Sequence, residues 1–292
     1  MGAIGWSLPR YGVTVIRFAD ISRVVKGGAM YLGICPATLL ADPMAAGPAD
    51  INAAALAAVD AGFSEASVWS FQLDAFDGSG LQIRVLEAAT AWAGDDQSAA
   101  DAEVEQIASL VESTGATHVL TVTMEPQISD LQRAEENLTN LAQRLESVGA
   151  VACIEFLPWS AIPDLATAWD LVSPLPVDVG LVLDTWHWQR QPGGPDLSVL
   201  TDIPGDRISY VQVCDAAPAS GDDLLTEAMT SRLLPGAGCI DFGAVLSGLQ
   251  QIGAQPFIAT EIFNPALVQR LGALGAAVAM RDAALSVLDG YA

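Results

Sequence analysis

From Tyr31 onward the chain repeats one unit: a short apolar run, a turn rich in glycine, proline or polar residues, then an amphipathic stretch with helical period. Tyr31–Cys35, Glu65–Ser70, Leu81–Glu87, Thr117–Thr123, Val151–Phe156, Val179–Asp184, Arg207–Cys214 and Phe257–Glu261 read as eight strands. Runs nearly continuous in Val, Ile and Leu mark strands buried on both faces, as in a parallel sheet. Helices are predicted over Asp50–Ala61, Asp95–Thr114, Ser129–Val148, Ile162–Leu171, Asp241–Ile252 and Pro265–Leu288. Gly62, Gly115, Gly149 and Gly253 stop four of them. Acidic residues at the start of Asp95–Thr114 suit the positive end of the helix dipole.

Eight strands alternating with helices predict an α/β fold, a closed (β/α)8 TIM barrel. Residues 30–292 are read as its single catalytic domain, and barrels of roughly 250 residues are routinely one domain. Residues 1–29 do not share the repeat and are read as an N-terminal extension of unassigned role, with four of the twelve basic residues. No GxGxxG or GxxxxGK[ST] follows a strand, so the dinucleotide and P-loop signatures are missing.

Strand side chains alternate, so each candidate can be tested for the face it occupies. Val151, Cys153 and Glu155 share one face of the fifth strand, and Gly180, Val182 and Asp184 one face of the sixth. Tyr210, Gln212 and Cys214 do so in the seventh, and Phe257, Ala259 and Glu261 in the eighth. Glu155, Asp184, Gln212 and Glu261 thus each stand near the C-terminal end of a strand, where barrel enzymes keep their chemistry. Any one of them alone reads more readily as a helix cap or a surface charge. Together they bring three carboxylates and an amide to one point, which calls for protons or a cation. All-oxygen ligands suit a hard divalent ion, Mn²⁺ or Mg²⁺, with Co²⁺ or Zn²⁺ as alternatives.

Composition narrows the partners. Twelve Lys and Arg against 35 Asp and Glu give a formal charge of −23, and Lys26 is the only lysine. Such a surface repels nucleic acid, whose binding depends on neutralising phosphates, and it offers little to a phosphorylated substrate. Every run of about 18 apolar residues contains a charge or a breaker, so no membrane-spanning helix is expected. The N-terminus lacks the order of a secretory signal. Cys35, Cys153, Cys214 and Cys239 show no CxxC spacing and read as reduced core thiols of a cytoplasmic protein. The expected partner is a small-molecule substrate, without nucleic acid or membrane, and a homo-oligomer is compatible with this.

Several segments together resemble one family. Ile154-Glu-Phe-Leu-Pro-Trp159, Asp184-Thr-Trp-His187, Val211-Gln-Val-Cys-Asp215, Arg232-Leu-Leu-Pro-Gly-Ala-Gly238 and Thr260-Glu-Ile-Phe263 are similar to the xylose isomerase-like sugar isomerase/epimerase superfamily. That group includes hydroxypyruvate isomerase, ketose 3-epimerases, inosose dehydratase and the apurinic endonucleases. The resemblance runs over about residues 30–290. It implies that Glu155, Asp184, Gln212 and Glu261 are metal ligands and that His187 and Arg232 contact substrate. Two positions depart from the pattern: Gln212 stands where many epimerases carry histidine, and Ala237 where the loop usually carries glutamate. Glutamine at the former is a feature of the hydroxypyruvate isomerase-like branch.

The activity so implied is isomerisation or epimerisation of a non-phosphorylated sugar, polyol or hydroxycarbonyl compound, through a metal-stabilised enediolate. Glu155 and Glu261 would act as base and acid, and His187 would join them as a catalytic or substrate-binding group; its alternative is to orient Asp184. A lyase using the same site is the second reading, and an endonuclease or a non-catalytic binding protein are the remaining two. Arg232 is read as a substrate contact, with a salt bridge to an acidic neighbour as the alternative. Trp69, Trp159, Trp186 and Trp188 are read as an apolar wall for the substrate, against packing as the alternative. His118, Trp92 and Trp169 are read as structural. Glu87 and Glu125 end or follow strands but are set aside.

Overall fold

The computed structural model describes residues 32–76 and 80–289. The proposed extension, residues 1–29, lies outside them. Eight parallel strands close into a barrel in sequence order: β1 (Leu32–Ile34), β2 (Glu65–Trp69), β3 (Gln82–Ala89), β4 (His118–Thr121), β5 (Val151–Glu155), β6 (Gly180–Asp184), β7 (Ile208–Val213) and β8 (Phe257–Thr260). The expected (β/α)8 barrel is therefore the observed fold. Around it lie α1 (Pro48–Asp60), α2 (Gln97–Thr114), α3 (Leu131–Ser147), α4 (Leu165–Val172), α5 (Thr185–Arg190), α6 (Leu197–Asp202), α7 (Leu224–Thr230), α8 (Phe242–Gln251) and α9 (Pro265–Leu288).

Alternation along the strands builds two cores. Val85, Leu120, Cys153, Val182, Tyr210, Phe257 and Ala259 point inward and fill the barrel. Ala66, Leu86, Val119, Ile154, Leu183, Val211 and Ile258 point outward and join the larger core beneath the helices. Tyr210 and Phe257 stack at 5.5 Å between ring centroids. Phe257 needs the space at Gly33, where a Cβ would overlap its ring. Glycine at that point of β1 is thus a close-approach device.

Three register shifts interrupt the barrel, one of them between Ala66 and Ser67, where Arg84 is the extra residue of β3. Leu181 pairs with Ile208 but Val182 with Tyr210, so Ser209 is an extra residue. That slip brings Asp184 level with Gln212. A third shift lies between Glu87 and Ala89, where β3 runs past its predicted end and the Glu87–Ala88 peptide is cis.

Aspartate starts most of the helices. Asp96, Asp130, Asp164, Asp184, Asp196, Asp223 and Asp241 each accept backbone N–H bonds as N-caps of the helix that follows. These caps satisfy N–H groups that have no partner inside the helix. The prediction put acidic residues inside the first turn of α2; instead, Asp96 caps it from outside. Part of the acidic surplus is therefore local folding chemistry. All four cysteines are free thiols, three of them buried.

Helix α9 is long and apolar enough to cross a membrane by length and composition. It is broken at Gly272, whose φ of 69° is left-handed. Beyond the break Ala276, Ala277, Met280 and Ala284 are buried in the main core, and the helix packs on α1. Its apolar face is used inside the fold.

His118 opens β4 at the end of the barrel opposite the candidate site, with Nδ1 2.9 Å from the Thr117 hydroxyl. Burial, then the nearby Arg84 charge, push its pKa down to about 4. The neutral ring is thus favoured in the fold, while the unfolded chain takes a proton near pH 6.5. The resulting stability is present above about pH 6.5 and is lost as the pH falls toward 4. H118Q should flatten the decline of unfolding free energy over that window, by at most about 3 kcal/mol. Urea denaturation of both proteins across pH 4–7 measures it; parallel curves would rule the contribution out.

Candidate functional site

Glu155, Asp184, Gln212 and Glu261 converge at the C-terminal mouth of the barrel, delivered by β5, β6, β7 and the end of β8. All four are buried, with Asp184 fully enclosed. The inward neighbours that the alternation predicts beneath them, Cys153, Val182, Tyr210 and Ala259, do fill the barrel interior. Glu155, Asp184 and His187 offer ligand atoms within 4.8 Å of one another.

Asp184 has two tasks. Its Oδ1 accepts from the Trp186 and His187 backbone N–H groups at 2.7 and 3.0 Å, capping α5. Its Oδ2 takes the Arg232 guanidinium at 2.6 Å. His187 was expected in a loop; this cap instead places it in the first turn of a short helix. The His187 Nε2 atom lies 3.4 Å from Glu155 Oε1, and Nδ1 has no hydrogen-bond partner.

Arg232 is the positive centre of the mouth. Nη1 donates to Asp184, to Glu261 Oε2 at 3.0 Å and to the Glu261 carbonyl at 3.1 Å. Nε donates to the Ala228 carbonyl, and Nη2 stands 3.5 Å from His187 Nε2. The salt bridge weighed against substrate binding is thus present, and Nη2 is the part of the fork left facing His187. The loop carrying Arg232 is folded around buried Asp215. That carboxylate accepts N–H bonds from Ala216, Gly236, Gly238 and Ile240 at 2.8–3.0 Å. At Gly238 a Cβ would overlap the Ala216 carbonyl, so glycine is required there.

Electrostatics follow from crowding. Burial, and then Glu261 and Asp184, drive Glu155 well above the usual carboxylate range. Burial and Glu87 do the same to Glu261. Burial works to raise Asp184 too, but Arg232 and His187 hold it below its ordinary value. His187 is pushed down to about 4, chiefly by burial, so its ring is neutral near pH 7.

Gln212 tests whether a cation fits. Both amide atoms are buried without any hydrogen-bond partner, an arrangement that costs free energy unless something else pairs with them. An amide oxygen beside three carboxylates on successive strands is a donor set that could hold a hard divalent ion.

The tryptophans divide. Trp159 is half-buried and meets His187 edge to face at 5.3 Å. Trp186 is fully buried; it packs on His187 and lies under the Arg232 guanidinium at 5.8 Å. Trp69 is half-buried and donates from Nε1 to Glu87 Oε2 at 3.0 Å. Trp188, like Trp186, is buried in the core beneath the helices. The outward face of α5 takes it there, three to four residues being one helical turn. Trp92 is likewise buried, its Nε1 donating to the Val122 carbonyl.

Glu87, set aside on sequence, belongs to the mouth. It is buried, and Cys35, Glu87 and Glu261 offer ligand atoms within 4.8 Å of one another. Burial raises its pKa to about 7, against the lowering influence of the nearby Ser67 hydroxyl and of the Trp69 hydrogen bond. The signal that could have found it is the alternation already used elsewhere, since Val85 faces the barrel interior and Glu87 follows two residues later. Glu125 is exposed.

A closed β/α barrel with oxygen donors gathered at its C-terminal mouth defines the class. The chain belongs to the xylose isomerase-like TIM barrel family, whose sequence profile matches residues 60–284. A 3-dehydroshikimate dehydratase of Pseudomonas aeruginosa is 31% identical over 131 residues, 44% of this chain and 20% of that protein. An inosose isomerase of Bacillus velezensis is 31% identical over 133 residues, 44% of this chain and 46% of its own. The matched stretch thus spans less than half the length of these curated relatives. Among solved structures, the IolI protein with a zinc atom superposes with a TM-score of 0.75 at 20% identity, covering 90% of this chain and 99% of that one. An L-ribulose 3-epimerase gives 0.66 at 16% identity, covering 89% and 95%. At these identities the superpositions establish the fold.

Arg232→Leu should cost about 3–5 kcal/mol, because it leaves buried Asp184 and Glu261 without their counter-charge. Urea denaturation in chelator measures this loss. Saturating Mg²⁺ or Mn²⁺ should recover part of it, and a loss below about 1 kcal/mol would contradict the ion pair's role.

Proposed function

We propose that this barrel is a divalent-metal-dependent isomerase or epimerase of a non-phosphorylated sugar, polyol or hydroxycarbonyl compound. The observation that carries the reading is the buried convergence of Glu155, Asp184, Gln212 and Glu261 on four successive strands, with the Gln212 amide unpartnered. Those four residues would hold the ion, and its charge would make the carbon-bound proton beside a substrate carbonyl more acidic. Mn²⁺ or Mg²⁺ suits the oxygen donors, and Zn²⁺ is the ion named for the IolI structure.

The chain's own groups divide the proton transfer. Glu155 removes the carbon-bound proton as the general base. Glu261 returns a proton, held in place by Arg232. Neutral His187 is a hydrogen-bonding group for a substrate oxygen, seated against Trp159 and Trp186. The Arg232 Nη2 group beside it supplies a second donor. Burial of the whole set keeps competing water away from the transferred proton.

A dehydratase reading uses the same first step and is favoured by the match to 3-dehydroshikimate dehydratase. An endonuclease would have to bind phosphate backbone with a chain of formal charge −23. Free thiols suit the reducing cytoplasm, which we take as the compartment.

NMR of inosose, 3-dehydroshikimate and ketohexoses in D₂O with Mg²⁺ tests the assignment. Deuterium entering one of them with its formula conserved marks the isomerase or epimerase, and loss of water marks the lyase. Glu155→Gln should lower turnover by roughly 10²-fold or more while the protein stays folded. Full turnover in that variant would remove Glu155 as the base.

A further inference from the structure

One side of the mouth carries polar groups that the proton transfer leaves unused. Glu87 Oε2 is fixed by Trp69 Nε1 at 3.0 Å, whereas Oε1 is buried without a partner. The Ser67 hydroxyl is fully buried beside Glu87 and closes no hydrogen bond there. Cys35 joins them, its sulfur within 4.8 Å of Glu87 and Glu261 ligand atoms. This arc comes from β2, β3 and the end of β1, across from the residues of β5–β7.

No free cation serves the arc among the described residues. Arg232 spends Nη1 on Asp184 and Glu261 and Nε on the Ala228 carbonyl. Arg190 is paired with Glu227 and the Ala217 carbonyl. Arg84 sits beside Glu65, at the far end of the barrel. Four carboxylates, Glu87, Glu155, Asp184 and Glu261, therefore share one guanidinium, and a divalent ion would still leave them one positive charge short.

Resting on the proton-transfer reading above, we propose that Glu87 and Ser67 form a hydroxyl-binding subsite that selects a neutral polyhydroxylated ketone and turns away a carboxylated one. A substrate hydroxyl donates to Glu87 Oε1, and Ser67 can donate or accept beside it. Both buried groups then gain the partner they lack, which is how a polar pocket rejects a ligand without the matching hydroxyl. A substrate carboxylate in the same place finds only acceptors and like charge, with no compensating cation.

Calorimetric titration of the full chain loaded with Mn²⁺, at pH 8, with inosose and with 3-dehydroshikimate tests this. Inosose should bind at least tenfold more tightly. E87Q should narrow that ratio at least tenfold. W69F keeps the charge but frees Glu87 from its anchor, so it should weaken inosose without improving 3-dehydroshikimate. Equal or tighter binding of 3-dehydroshikimate by the wild type, or ratios unchanged in both variants, overturns the subsite and leaves the proton-transfer reading standing. Binding of neither ligand overturns both.

Discussion

Like charges buried together repel strongly, and this molecule places four carboxylates in one enclosed barrel mouth. In a low-dielectric interior such a group survives only with protons, counter-charge or a metal ion to offset it. Arg232 is the counter-charge supplied by the chain, bonded to Asp184 and Glu261 at once. Burial first, and then the neighbouring carboxylates, raise the pKa of Glu155 and of Glu87. The unpartnered Gln212 amide appears in the same place. In the reading proposed above, a divalent ion would offset the repulsion and give the Gln212 amide oxygen a partner.

The scaffold is arranged to hold that cluster. Parallel strands bring successive side chains to one rim, and the slip at Ser209 aligns Asp184 with Gln212. Asp184 is also the cap of α5, so the start of that helix and the mouth share one carboxylate. Asp215 gathers four N–H groups of the loop that carries Arg232. Aspartate is thus used for folding and for chemistry a few residues apart.

Much of this was legible in the sequence. Period-two alternation on the last four strands places Glu155, Asp184, Gln212 and Glu261 inward, because a strand with both faces buried leaves parity unambiguous. The same rule applied to β3 reaches Glu87, but neighbours such as Cys35 and Ser67 look like ordinary core residues. Helix α5 was read as loop, since six residues are too few to show a helical period. Trp186 and Trp188, both on that helix, lie in the core. The partners of Arg232 had no local signal either: Asp184 is 48 residues away in sequence, and only barrel closure brings them together.

On the proposed reading, one divalent ion completes the Glu155–Asp184–Gln212–Glu261 set. The direct measurement is calorimetric titration of chelator-treated protein with Mn²⁺, paired with elemental analysis after dialysis. One ion per chain, and markedly weaker binding by a Gln212→Leu variant that remains folded, is the predicted result. No bound ion, or binding unchanged by that substitution, would contradict it.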